Sequence, residues 1–176
     1  MKLPARAFIL EKIRAEKGWY TMDALTCIET RRSIRKYQEK PIPHEVMEEI
    51  IKEASFAPSW KNSQVVRYVV VENPELKSKI ANDAVLGFTY NTGTIEHAAA
   101  LVVVTMIQGR SGYERDGSFT TSKEDRWEMF DAGIATQTFC LAAHEKGIGS
   151  VIMGIFDEAK AVSYTHLRAH ETDQYL

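Results

Sequence analysis

The stretch "KEDRWEMFDAGIATQTFCLAAHEKG", residues 123–147, constrains this chain most. It is the longest helical pattern in the sequence. From Asp131 to Ala143 it is apolar on most faces. A helix of that kind belongs at the centre of a fold or at a subunit interface. Gly147 and Gly149 end it. Ser122 with Asp125, or Thr121 with Glu124, is spaced to cap its start.

The elements around it alternate. "MDALTCIETR" (22–31) has apolar residues at helical spacing and predicts a short helix. "PHEVMEEIIKEASFA" sets Val46, Met47, Ile50, Ile51 and Ala54 on one stripe, with acids in the first turn and Pro58 beyond the end. "VVRYVVVE" (65–72) and "AAALVVVTMI" (98–107) read as buried strands. "NPELKSKIA" opens with Asn73 as an N-cap and Pro74 at the first helical position. Residues 108–122 are polar and glycine-rich and read as a mobile loop. "SVIMGIF" reads as a third strand, and "DEAKAV" begins another helix. Helices alternating with a few strands mean α+β or α/β.

Composition narrows the class. The chain has 176 residues, 44% of them hydrophobic, enough for one packed core. Its formal net charge of −2 argues against a general polyanion binder. Cys27 and Cys140 both lie in apolar helical contexts and make neither a disulfide framework nor a metal motif. Buried free thiols suit a reducing, cytoplasmic setting. No run is long and apolar enough to span a membrane. His166 and His170 have i, i+4 spacing but no third ligand is evident, so no metal site is expected.

Two polar constellations stand out. "RRSIRK" (31–36) concentrates planar cationic forks around one serine. Such a cluster suits a phosphate, though a solvated basic turn would read the same way. There is no GxxxxGK[ST] and no GxGxxG after a strand, so neither a P-loop nor a dinucleotide Rossmann site is indicated. "APSWKNSQ" packs hydroxyls and amides between a helix end and a strand. These suit the edge of a flat heteroaromatic ring, or simply cap a turn.

With these residues in view, "ETRRSIRKYQEKPIPHEVMEEIIKEASFAPSWKNSQVVRYVVVE" closely resembles the opening of the nitroreductase family of FMN-dependent enzymes. The resemblance continues through "NTGTIEHAAALVVV", "MFDAGIATQTFCLAA" and "EKGIGSVIMGIFDE", and covers roughly residues 22–160. It implies an α+β fold: a central mixed or antiparallel sheet flanked by helices, in an intertwined homodimer with FMN at the interface. By position, it implies that Arg31, Arg32, Ser33 and Arg35 form the FMN segment. Arg31 and Ser33 would hold the phosphate and ribityl end, and Arg35 the pyrimidine edge. Pro58, Ser59, Asn62 and Gln64 match a segment donated by the partner chain. Asn91 matches an asparagine near flavin N5 and O4, and Met153 and Gly154 a backbone contact at the far edge.

The implied chemistry is ping-pong. NAD(P)H passes a hydride to FMN, and a nitroaromatic or quinone-type acceptor then receives it. No catalytic side chain is implied, since the cofactor carries the reaction. Acceptor choice is expected to lie in residues 108–122 and at Phe119 or Trp127. The rival reading is a non-enzymatic module that binds a phosphorylated ligand or nucleic acid through the Arg31–Lys36 cluster.

The ends depart from the family pattern. Residues 1–21 read as an N-terminal extension, and Met22 as a plausible second start. Residues 22–162 read as the FMN-binding domain, lacking the family's C-terminal part. "SYTHLRAHETDQYL" (163–176) resembles translated sequencing-adaptor sequence and is expected to lie outside the fold.

Overall fold

The computed structural model describes residues 22–165. The chain divides into two compact units, residues 1–31 and 32–176. In the first, helix α1 spans Ala24–Thr30. Asp23 caps it, its Oδ1 accepting the backbone N–H groups of Leu25 and Thr26 at 3.1 Å each. These bonds, led by the Thr26 hydroxyl, hold the Asp23 carboxyl below its ordinary range. Arg31 ends the helix, its N–H on the Cys27 carbonyl.

The second unit holds the remaining elements. They are α2 (His44–Ala54), a 3-10 turn (Trp60–Asn62), β1 (Val66–Val71), α3 (Pro74–Asp83), α4 (Thr89–His97), β2 (Leu101–Met106), α5 (Arg126–Glu145) and α6 (Glu158–Thr165). β1 and β2 pair antiparallel, from Val66 opposite Met106 to Val71 opposite Leu101. The architecture is α+β, and helices cover more of the described chain than strands.

The long apolar helix behaves as expected. α5 packs Phe139, Ala142 and Ala143 against Met47, Ile50 and Ala54 of α2. Tyr68, Val70 and Val102 of the hairpin close the same cluster. Burying Ile50 completely is worth roughly 1.5–3 kcal/mol relative to exposure. Lys146, just past α5, reaches Glu49 and Glu53 of α2 at 3.2 and 2.9 Å. The hydrogen bond that Lys146 donates to Glu53 leads in raising its pKa. Tyr68 donates to the Ala135 carbonyl, and burial pushes its phenol up to about 12. A second cluster joins Val71, Ile80, Ala84 and Ala161, and a third joins Ala81, Val85 and Ile95 with Met153 beside it.

Three expectations need correction, and one helix went unread. Residues 151–156 form no strand, and only Ser150 pairs, in a single parallel bridge to Ser33. A strand needs a neighbour along its length, and here the β-branched run leaves Ile152, Ile155 and Phe156 exposed. Residues 108–122 are tied down: Tyr113 pairs with Phe119, and Ser111 is fully buried. Neither proposed cap starts α5, because the Thr121 hydroxyl is taken by Lys123 N–H and Trp127 Nε1. α4 was not legible as a helix, since "TYNTGTIEH" has glycine, threonines and little amphipathic pattern.

α6 runs through 162–163, the boundary drawn from sequence pattern. Tyr164 packs on the second cluster and bonds the Asp83 carboxylate. The adaptor-like reading therefore finds no support as far as Thr165. Residues 166–176, with His166 and His170, and residues 1–21 lie outside the described residues. Cys27 and Cys140 are buried and are not in a disulfide. Among the described residues no helix is long and apolar enough to cross a membrane, and no cluster could hold a metal ion.

Candidate functional site

The basic segment of the second unit starts at Arg32. The Ile34 N–H donates to the Ser150 carbonyl at 2.9 Å, beside the Ser33–Ser150 bridge. Gly149 makes this approach possible: a Cβ there would stand 2.9 Å from the Ile34 Cβ. The Tyr37 hydroxyl donates to the Ile34 carbonyl at 2.8 Å, and burial raises its pKa. Arg32, Ser33, Arg35 and Lys36 are left exposed. Sequence and fold thus present cations and a hydroxyl on a short, backbone-anchored edge.

The same edge continues to Met153 and Gly154. Met153 packs against the cluster that Ile95 of α4 forms with Ala81 and Val85, and Asn91 lies one turn before Ile95 on that helix. Asn91 is 8% exposed, and its side-chain amide is not among the buried side-chain atoms left without a partner. So the structure groups Ser33 with the 150–154 segment, and Met153 with the helix of Asn91.

The second constellation is a strained loop. Lys61, Asn62 and Gln64 have φ of 45°, 55° and 45°. Left-handed backbone costs non-glycine residues roughly 1–2 kcal/mol each. Asn tolerates it better than Lys or Gln. Strain of this kind persists only where the surroundings over-determine it. The Ser59 hydroxyl accepts the Gln64 N–H at 2.8 Å, and Lys61 meets Glu114 at 3.0 Å. Pro58, Asn62 and Gln64 are exposed, while the Ser63 hydroxyl and Trp60 Nε1 are buried without partners among the described residues.

The anchor beneath that loop went unrecognised in the sequence. Asp131 of α5 is 1% exposed. Its two oxygens accept the Trp60 backbone N–H at 3.1 and 3.0 Å, and Oδ2 also accepts the Ser111 hydroxyl at 2.6 Å. One turn earlier, buried Glu128 accepts the Gly109 N–H at 2.6 Å. Two acids inside a helical apolar stretch were the available signal. Trp60 and Trp127 sit with ring centroids 4.5 Å apart, and Phe119 stacks on Tyr113 at 4.8 Å.

No hydrogen bond, ion pair or bridge among the described residues joins segment 33–36 to segment 58–64. The two flank opposite ends of α2, whose 11 residues span roughly 16 Å.

Comparison with known proteins now bears on these groupings. Residues 28–172 match the model of the nitroreductase family. That match runs past the sequence-drawn boundary at 162. A Methanothermobacter thermautotrophicus protein, provisionally named NADH dehydrogenase/NAD(P)H nitroreductase, is 32% identical over 135 residues. The alignment takes in 77% of this chain and 62% of that relative, so the chain spans less than two thirds of its length. A nitroreductase family protein of known structure from Clostridium novyi superposes with TM-score 0.68 at 28% identity, over 81% of this chain and 75% of the other. A Desulfovibrio desulfuricans structure, provisionally named a nitroreductase and solved in complex with FMN, matches with TM-score 0.58 at 25% identity, over 77% and 70% of the two chains.

Proposed function

The chain belongs to the nitroreductase family, and from that premise we propose that it is an FMN-dependent oxidoreductase carrying electrons from NAD(P)H to nitroaromatic or quinone-type acceptors. The observation that carries this reading is Asn91. Its side-chain amide keeps contact with solvent and is open to an incoming hydrogen-bond partner. Here it sits on the helix that packs Met153, at a position the resemblance gives to the flavin. The remaining donors fit FMN. Arg32, Ser33 and Arg35 are exposed to a phosphate and a pyrimidine edge, with Arg31 preceding them in sequence. Pro58, Ser59, Asn62 and Gln64 supply a rigid polar rim, and Met153 and Gly154 a second edge.

When bound, FMN supplies hydride acceptance and delivery. The chain's own residues bind and orient. Arg35 is a permanent cation and favours negative charge on a ring edge beside it. The Asn91 amide fixes ring orientation through a hydrogen bond, without transferring a proton. The strained 59–64 backbone holds its donors in place before anything binds, which lowers the ordering cost. Phe119, Trp127 and residues 108–122 line the neighbouring surface and are the proposed seat of acceptor choice.

A homodimer completes the reading, with the 58–64 segment of one copy meeting the 33–36 and Asn91 side of another. Two observations support it. The two groups flank opposite ends of α2, and Phe56, Met129 and Phe130 are 78%, 66% and 57% exposed.

An absorbance scan with added FMN tests the function. Bound flavin bands that bleach with NAD(P)H and recover with a quinone are expected. Wild-type protein that retains no FMN, and whose Asn91→Ala variant behaves identically in every assay, refutes it.

A further inference from the structure

We propose that Asp131 is the positioning residue of the flavin site, one buried carboxylate that sets the 59–64 backbone and couples it to the 107–125 loop. This rests on the reading of 58–64 as a flavin segment. Asp131 is 1% exposed and has no ion-pair partner among the described residues. A buried acid held only by neutral donors is a poor stability device. What it does hold is specific. The Trp60 N–H, at the start of the strained turn, spans both its oxygens. The Ser111 hydroxyl, inside the long loop, shares Oδ2.

The coupling has a parallel route at the surface. Lys61 joins Glu114 across the same two loops, and Trp60 stacks near Trp127, whose Nε1 bonds Thr121. Lys61, Asn62 and Gln64 keep left-handed backbone only while Trp60 is pinned. Releasing Asp131 therefore lets the polar rim relax, although Asp131 itself presents nothing to a ligand.

The test compares Asp131→Ala, Asp131→Asn and Ser111→Ala in the full chain. Amide hydrogen exchange without flavin reads the clamp. Expected is faster exchange in both 59–64 and 107–125 for Asp131→Ala, and near wild-type protection at Trp60 for the isosteric Asp131→Asn, which keeps an acceptor. Titration with FMN reads the consequence. Asp131→Ala should weaken FMN by about tenfold or more and alter the visible circular dichroism of the bound flavin. Asp131→Asn should stay within about threefold. If Asp131→Ala fails to fold, Ser111→Ala should still loosen both segments together, and loosening of 107–125 alone overturns the coupling. Unchanged FMN affinity and dichroism despite a looser 59–64 segment overturn the positioning role. Wild type that binds no FMN sinks the functional reading, and the exchange data then judge the clamp by itself.

Discussion

Two polar edges of the same unit are built in opposite ways. The 32–36 edge hangs on one bridge to Ser150 and one close approach at Gly149, and its cations are exposed. The 59–64 edge is pinned from below by a buried acid and from the side by Glu114, and carries left-handed backbone at three side-chain-bearing residues. The difference suits their proposed partners. A phosphate is a strong, nearly isotropic charge that flexible arginines can follow. A ring edge needs donors at fixed positions, and fixed positions need a supporting shell.

Breaking the rigid side should have the largest effect. Gly112 has φ +89°, and a Cβ there would stand 2.2 Å from the Glu124 carbonyl oxygen. Gly112→Ala should destabilise by about 3 kcal/mol or more, seen as a lower denaturant midpoint. It should also release the Trp60–Trp127 pair, read by near-ultraviolet dichroism. A midpoint equal to wild type would contradict the close approach.

The lighter edge should break more cheaply. Gly149→Ala must push Ile34 aside, costing about 1–2 kcal/mol, with FMN binding weakened and Trp60 exchange unchanged. Equal disturbance of both edges would show that they are not separate.

Arg35→Ala should leave stability within about 0.5 kcal/mol, because the side chain is exposed. FMN affinity should nevertheless fall roughly tenfold through loss of a charge-assisted contact. Isothermal titration alongside thermal unfolding separates the two, and a variant with full FMN affinity removes Arg35 from the site.

Acid gives the smallest effect. Glu114 has its pKa lowered below 4.5, first by the Thr120 hydroxyl and then by Lys61. A lowered folded value contributes stability above the unfolded value and loses it as pH falls through the folded one. The Lys61–Glu114 tie should therefore hold at neutral pH and weaken below about 4.5. Exchange at 59–64 measured down that range should rise slightly in wild type and show no pH step in Glu114→Gln.

Much of the fold was legible because local chemistry dictates it. The α2 stripe, the Asn73–Pro74 start of α3 and the two valine-rich strands appear where periodicity and capping place them. "SVIMGIF" was misread because β propensity says nothing about whether a neighbouring strand exists. α4 was missed because its propensity is weak and its packing comes from Ala81, Val85 and Leu101 in the flanking elements rather than from a pattern of its own.

The sequence by itself determined the helix–strand alternation, the buried thiols, the central place of α5 and the motif set that marks the family. Side-chain type and spacing decide those things locally. Only the tertiary structure decided that Asp131 lies under Trp60, 71 positions away in the chain, that Gly149 admits Ile34, and that Asn91 is largely buried. A hydrogen bond or a close approach between distant residues depends on distances that no local pattern encodes.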